Sequence, residues 1–134
     1  MDEAAGSRIS DRRHRAEVAA FWSLTVLGAA VMCAAWTWLG LASTEQVTES
    51  AKAPPGDTST EGLFVTMGVV PLVLAHLLGL VILRAVAPHG RDAAGVRWAV
   101  AAVAALATSA IGLAVALFVD GGLLLTPGGG GYTP

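Results

Sequence analysis

The segment GVVPLVLAHLLGLVILR, residues 68–84, places Pro71 and His76 inside an otherwise apolar run. An imidazole in that setting has three chemistries open to it. It can relay protons, ligate a haem or metal, or hydrogen-bond a hydroxyl or carbonyl of a neighbouring helix. A relay needs a second titratable group within reach. No Asp, Glu, Lys or Arg occurs in residues 18–42, 63–83 or 98–119, and Glu17, Arg84 and Asp120 stand at their boundaries. A ligand site needs a partner, and the other histidines, His14 and His89, lie among arginines in polar segments. Only two copies of the chain meeting at His76 would supply one.

The remaining nucleophiles add little. Cys33 is the one cysteine, so neither a disulfide nor a thiolate metal site can form within the chain. Thr108 and Ser109 have no base in their own helix. The run GGGG at 128–131 has no strand before it, no helix after it and no Lys-Ser or Lys-Thr pair, so it is not a phosphate loop. The expectation is therefore a protein that is not an enzyme, with no catalytic, cofactor-binding or metal residues and no cofactor. His76 remains as the candidate functional polar residue.

The elements that must position His76 follow from composition. The chain has 134 residues, 54% hydrophobic and only 13% charged. Soluble domains carry about 25% charged residues, so the deficit points to a membrane protein. A helix needs about 20 apolar residues to cross a hydrocarbon core of roughly 30 Å. Three segments meet that length, residues 18–42, 63–83 and 98–119. They do not alternate polar with apolar, as barrel strands would. Helices also satisfy their own backbone, which lipid cannot do. The predicted fold class is an all-α membrane protein of three transmembrane helices, with the second and third forming a helical hairpin.

Arginine placement gives direction. Arg8, Arg12, Arg13 and Arg15 precede the first span, and Arg84, Arg91 and Arg97 lie at or between the second and third. The connection 43–62 holds only Lys52, against Glu45, Glu49, Asp57 and Glu61. Basic residues accumulate on the cytoplasmic side, which predicts a cytoplasmic N-terminus and an extracytoplasmic C-terminus in a multi-pass protein of the cell membrane. The basic tail 1–17 and basic loop 84–97 are then inside, and the acidic loop 43–62 and tail 120–134 outside. Trp22, Trp36, Trp38 and Trp98 fall near span ends and read as interface anchors. The first span resembles a signal peptide in its basic flank, but its apolar stretch of about 25 residues is too long for a 7–15-residue signal core. Arg12-Arg13 is followed by His14, Arg15 and Ala16, unlike a twin-arginine signal. Seven arginines to one lysine is a bias that high-GC bacterial genomes produce.

Between the spans, Pro54-Pro55-Gly56 marks the acidic connection as a solvated, turn-rich segment. The tail TPGGGGYTP, with Tyr132, predicts disorder, because a glycine run loses too much chain entropy on ordering.

Helices in lipid associate through close packing, which small residues permit. The third span repeats one at every fourth position, Ala104, Thr108, Gly112 and Ala116, beside a second row, Ala101, Ala105 and Ser109. The second span offers Ala75 and Gly79, and the first offers Gly28, Ala30 and Ala34. Pro71 removes a backbone hydrogen bond and presses on the carbonyl of Met67, predicting a kink at 67–71. Thr66, Thr108 or Ser109 are the hydroxyls expected to meet the freed carbonyl.

His76 lies thirteen residues past Leu63, roughly 20 Å along the helix, near the bilayer midplane. The sequence thus predicts a small integral membrane protein, a non-catalytic accessory subunit or self-associating bundle. The alternative is an oligomeric minimal transporter or channel component that uses His76 and a Pro71 kink. Its partners are the lipid bilayer and a second copy or another membrane protein. A net charge of −2 gives no reason to expect nucleic acid.

Overall fold

The computed structural model describes residues 3–60, 62–87, 94–122 and 124–125, with side chains from Ser10 onward and, in the last helix, from Gly95. Among them the regular structure is entirely helical. Helix α1 runs Glu3–Lys52, a π-helical segment Val65–Val69 leads into α2, Val70–Val86, and α3 covers Ala94–Val119. Three of these stretches are long and apolar enough to cross a membrane: Ser10–Lys52, Val65–Val86 and Gly95–Val119. The chain is an all-α, multi-pass membrane protein. The basic connection at 88–93, with His89 and Arg91, and the tail from 126, with Tyr132, lie outside the described residues.

Helix α1 outruns its apolar segment. The connection expected to be solvated from residue 43 is helical as far as Lys52. Its residues explain why. Thr44 donates to the carbonyl of Gly40 and Thr48 to that of Thr44, so both hydroxyls are met on their own helix. Lys52 pairs with Glu49 at 2.6 Å, and its cation favours the negative helix C-terminus. Proline then ends the helix. Pro54 and Pro55 enter a turn closed by Asp57 N–H donating to the Pro54 carbonyl at 3.0 Å, with Gly56 at φ 90°. A type II turn requires positive φ at its third residue, which glycine adopts without steric cost. Asp57 accepts from Ser59 N–H at 2.8 Å, which holds its carboxyl below the usual range. Gln46, still on α1, accepts from Phe64 N–H at 2.6 Å and so meets one of the open donors where the next helix starts.

The most extensive interface joins α1 to α3, with α2 packing against both. Among the described residues the buried cluster is Phe21, Leu83, Ala87 and Ala101, one contribution or more from each helix. The small-residue row of α3 faces inward. Ala101 and Ala116 have no exposure and Thr108 has 4%. Thr108 turns its hydroxyl to the Ala105 carbonyl, and its methyl lies 3.9 Å from where a Cβ on Gly28 would stand. A Cβ on Gly112 would stand 2.6 Å from the Met32 carbonyl carbon and 2.7 Å from its oxygen. Backbone meets backbone there, and only glycine permits it. Gly28 with Thr108, Met32 with Gly112 and Gly40 with Asp120 are all separated by one constant sequence offset. The two helices run parallel in a single register.

Glycine rows do not all behave alike. Gly68 accommodates Leu39 and Ala42, whose atoms lie 3.0 and 3.1 Å from its Cβ position. Gly79, expected to receive a partner helix beside Ala75, has nothing within 4 Å within the chain. Large apolar side chains such as Leu27, Leu78, Leu106 and Phe118 point outward, as they must where the surroundings are hydrocarbon.

Gly112→Leu is expected to lose at least about 1–3 kcal/mol of bundle stability, the cost of overpacking a tight contact. Gly79→Leu is expected to lose almost none. Reversible unfolding in bicelles compares them, and equal losses would contradict this packing.

Candidate functional site

The π-helical segment and Pro71 set the approach to His76. Pro71 has no N–H, so the Met67 carbonyl four residues back loses its helical donor. The backbone widens just before it, where Val70 N–H donates to the carbonyl of Val65, five residues away. Hydroxyl groups were the expected rescue of the Met67 carbonyl. Instead, Trp38 of α1 donates its indole N–H to that oxygen at 2.6 Å. Thr66 hydrogen-bonds Gly62 and Leu63 carbonyls on its own helix. The proline-induced gap is thus filled by another helix, and it fastens α1 to α2.

His76 lies one turn further along α2, half-buried. Its Nδ1 is 2.8 Å from the Leu72 carbonyl and its Nε2 is 2.7 Å from Ser109 Oγ of α3. Trp36 of α1 donates its indole N–H to the same Ser109 oxygen at 3.1 Å. Its ring stands edge-on to the imidazole, with centroids 6.3 Å apart at 90°. The proton positions follow from the partners. A carbonyl can only accept, so Nδ1 carries a hydrogen, and in a neutral ring Nε2 then accepts. Ser109 then donates to Nε2, leaving its lone pairs to Trp36. Donors run in one direction, Trp36 to Ser109 to His76 to Leu72, across all three helices.

Side-chain direction explains the meeting of His76 and Ser109. Cβ atoms lean toward the helix N-terminus, so the imidazole reaches back one turn, to the level of Leu72. At the far end Arg97 Nη2 donates to the Arg84 carbonyl at 3.5 Å, a second contact between α3 and α2.

A serine hydroxyl 2.7 Å from an imidazole nitrogen has the spacing of a nucleophile and its general base. The surroundings do not complete the site. Backbone N–H groups near Ser109 belong to α3 and are donated to its own carbonyls. Trp36 bonds the nucleophile oxygen itself and is no oxyanion donor. Two cavities between the helices are lined elsewhere, one by Phe21, Trp22, Val100 and Val103 and another by Trp38, Leu41, Leu63 and Met67.

The other candidate residues separate by position. Trp22 and Trp98 are substantially exposed, Trp22 edge-on to Phe21 and Trp98 beneath the Arg84 guanidinium. Trp36 and Trp38, expected to anchor at an interface, each give the indole N–H to a protein acceptor. Ala104 borders the buried cluster, and Gly112 and Ala116 line the α1–α3 contact. Cys33 is half-buried with a free thiol. Among the described residues no group of three or more His, Cys, Asp or Glu could hold a metal ion. Comparison with protein-family models, curated proteins and solved structures gives no match.

Trp38→Phe is expected to cost between about 0.6 and about 1.7 kcal/mol, the range for hydrogen bonds between membrane helices. In a Pro71→Ala background residue 71 regains an N–H for the Met67 carbonyl, and the cost of Trp38→Phe should shrink. A double-mutant cycle measures the coupling, and strictly additive losses would contradict the link.

Proposed function

We propose that this protein is a non-catalytic accessory or self-associating helix bundle of the cell membrane. Its N-terminus is cytoplasmic and its C-terminus extracytoplasmic. The observation that carries this reading is the occupancy of His76. Both ring nitrogens have partners within the bundle, and Ser109 is itself engaged by Trp36. The described spans bring no acid, lysine or arginine to that depth. An imidazole held this way joins helices, and its hydrogen-bond partners are a serine hydroxyl and a main-chain carbonyl. Orientation rests on the arginines of the N-terminal segment and the 84–97 region, opposed by the acidic 43–62 connection. The unfilled surface at Gly79 and the many outward apolar side chains leave room for a second copy or another membrane protein.

A second reading, a minimal oligomeric transporter or channel component, draws on the π-helical segment before Pro71. Such segments interrupt the regular ladder and often accompany functional sites.

Sizing of the intact protein in nanodiscs, wild type beside His76→Ala, separates the two. The accessory reading expects an unchanged assembly state, no proton-coupled flux in proteoliposomes from either protein, and no labelling of Ser109 by a serine-directed fluorophosphonate. A flux abolished by His76→Ala with assembly intact would replace it with the transport reading, and labelling at Ser109 would replace it with a hydrolase.

A further inference from the structure

Where α2 ends and α3 begins, two arginines stand together, with no ion pair to either among the described residues. Arg97 Nη2 donates to the Arg84 main-chain carbonyl at 3.5 Å, and the Arg84 guanidinium carbon lies 5.3 Å from the centre of the Trp98 ring. Both side chains are half-buried, and the Nε of each is buried without a hydrogen-bond partner. Among the described residues neither guanidinium meets a carboxylate. Apolar groups flank them: Leu83 and Ala87 are buried beside Arg84, and Ala101 is buried one turn above Arg97.

Two like charges held against apolar side chains repel one another and lose hydration, which is costly unless an anion completes them. The depth of the pair indicates which anion. Arg84 lies near the end of the apolar stretch Val65–Val86, and Arg97 near the start of Gly95–Val119. That is the boundary where lipid phosphates lie, and the half-exposed indole of Trp98 is suited to the same level. Guanidinium nitrogens match phosphate oxygens in paired hydrogen bonds, and basic pockets between membrane helices take anionic headgroups. Among the described residues the one hydrogen bond made by either guanidinium is that of Arg97 Nη2, at 3.5 Å, which leaves the other outer nitrogens for such contacts.

We propose that Arg84 and Arg97 together bind the phosphate of an anionic lipid headgroup, with the Trp98 ring supporting the Arg84 guanidinium. The site is independent of His76 and of the accessory reading.

Native mass spectrometry of the full chain, titrated with phosphatidylglycerol or phosphatidylcholine in mixed micelles, tests it. Phosphatidylglycerol should bind wild type more tightly than phosphatidylcholine. Arg84→Gln or Arg97→Gln should each weaken that binding roughly fivefold and the double variant roughly thirtyfold, from the contribution of a basic residue near a membrane surface. Arg13→Gln, in the N-terminal part of α1, should leave it unchanged. If the double variant does not assemble, the single variants, each retaining one guanidinium, carry the test. Wild-type affinity in the arginine variants would overturn the site. Displacement of the lipid by millimolar inorganic phosphate would overturn the lipid as its source and assign the pair to a soluble phosphate.

Discussion

In hydrocarbon a polar group finds its partner inside the protein or has none, and each unmet group costs several kcal/mol. The bundle answers this constraint with side chains from neighbouring helices. Trp36, Ser109 and His76 form one hydrogen-bonded chain through α1, α3 and α2, ending on the Leu72 carbonyl. Trp38 meets the carbonyl that Pro71 leaves without a donor. Each contact answers a local deficit and fixes the position of one helix against another. Individually such bonds are weak, about 0.6 kcal/mol on average, but each is specific in geometry. The smooth packing of Ala101, Thr108, Gly112 and Ala116 supplies contact area, and the polar chain selects one rotation of α2 against it.

This arrangement also decides how the His76–Ser109 pair is read. Distance alone would admit a nucleophile and base. The hydroxyl is held from one side by an indole and directed at the imidazole on the other, and the surrounding amides serve α3. On the proposed accessory reading the pair is one step in a structural chain, and its polarity is consumed within it. The arginines at the turn end of α2 and α3 are the opposite case. Their charge is not paired by any described carboxylate, and the proposed lipid phosphate would answer it.

Much of this was legible in the residues. The three spans follow from apolar length, and the inward row of α3 from small residues at every fourth position. His76 was readable as a polar group in need of a neighbouring hydroxyl or carbonyl. The backbone before Pro71, where a kink was expected, is π-helical over Val65–Val69. Local pattern could not supply the partners. Nothing in the sequence couples residue 38 to residue 67, because that contact depends on the rotation of two helices. Trp36 and Trp38 look alike as interfacial tryptophans, yet their N–H groups reach different helices. The continuation of α1 to Lys52 was hidden by polarity, since STEQVTESAK reads as a solvated segment although its threonines satisfy themselves on the helix. Gly79 resembles Gly112 in the sequence, and only the packing shows that one receives a backbone and the other does not.

The tautomer of His76 is the most direct measure of whether the midplane polarity is satisfied internally. Nitrogen-15 NMR of the ring in lipid nanodiscs at neutral pH reports which nitrogen carries the proton. The hydrogen-bonded chain predicts one neutral tautomer, protonated at Nδ1, with an Nε2 resonance that shifts on Ser109→Ala. Protonation at Nε2, or an even mixture of both tautomers indifferent to Ser109, would show that the chain across the three helices does not exist.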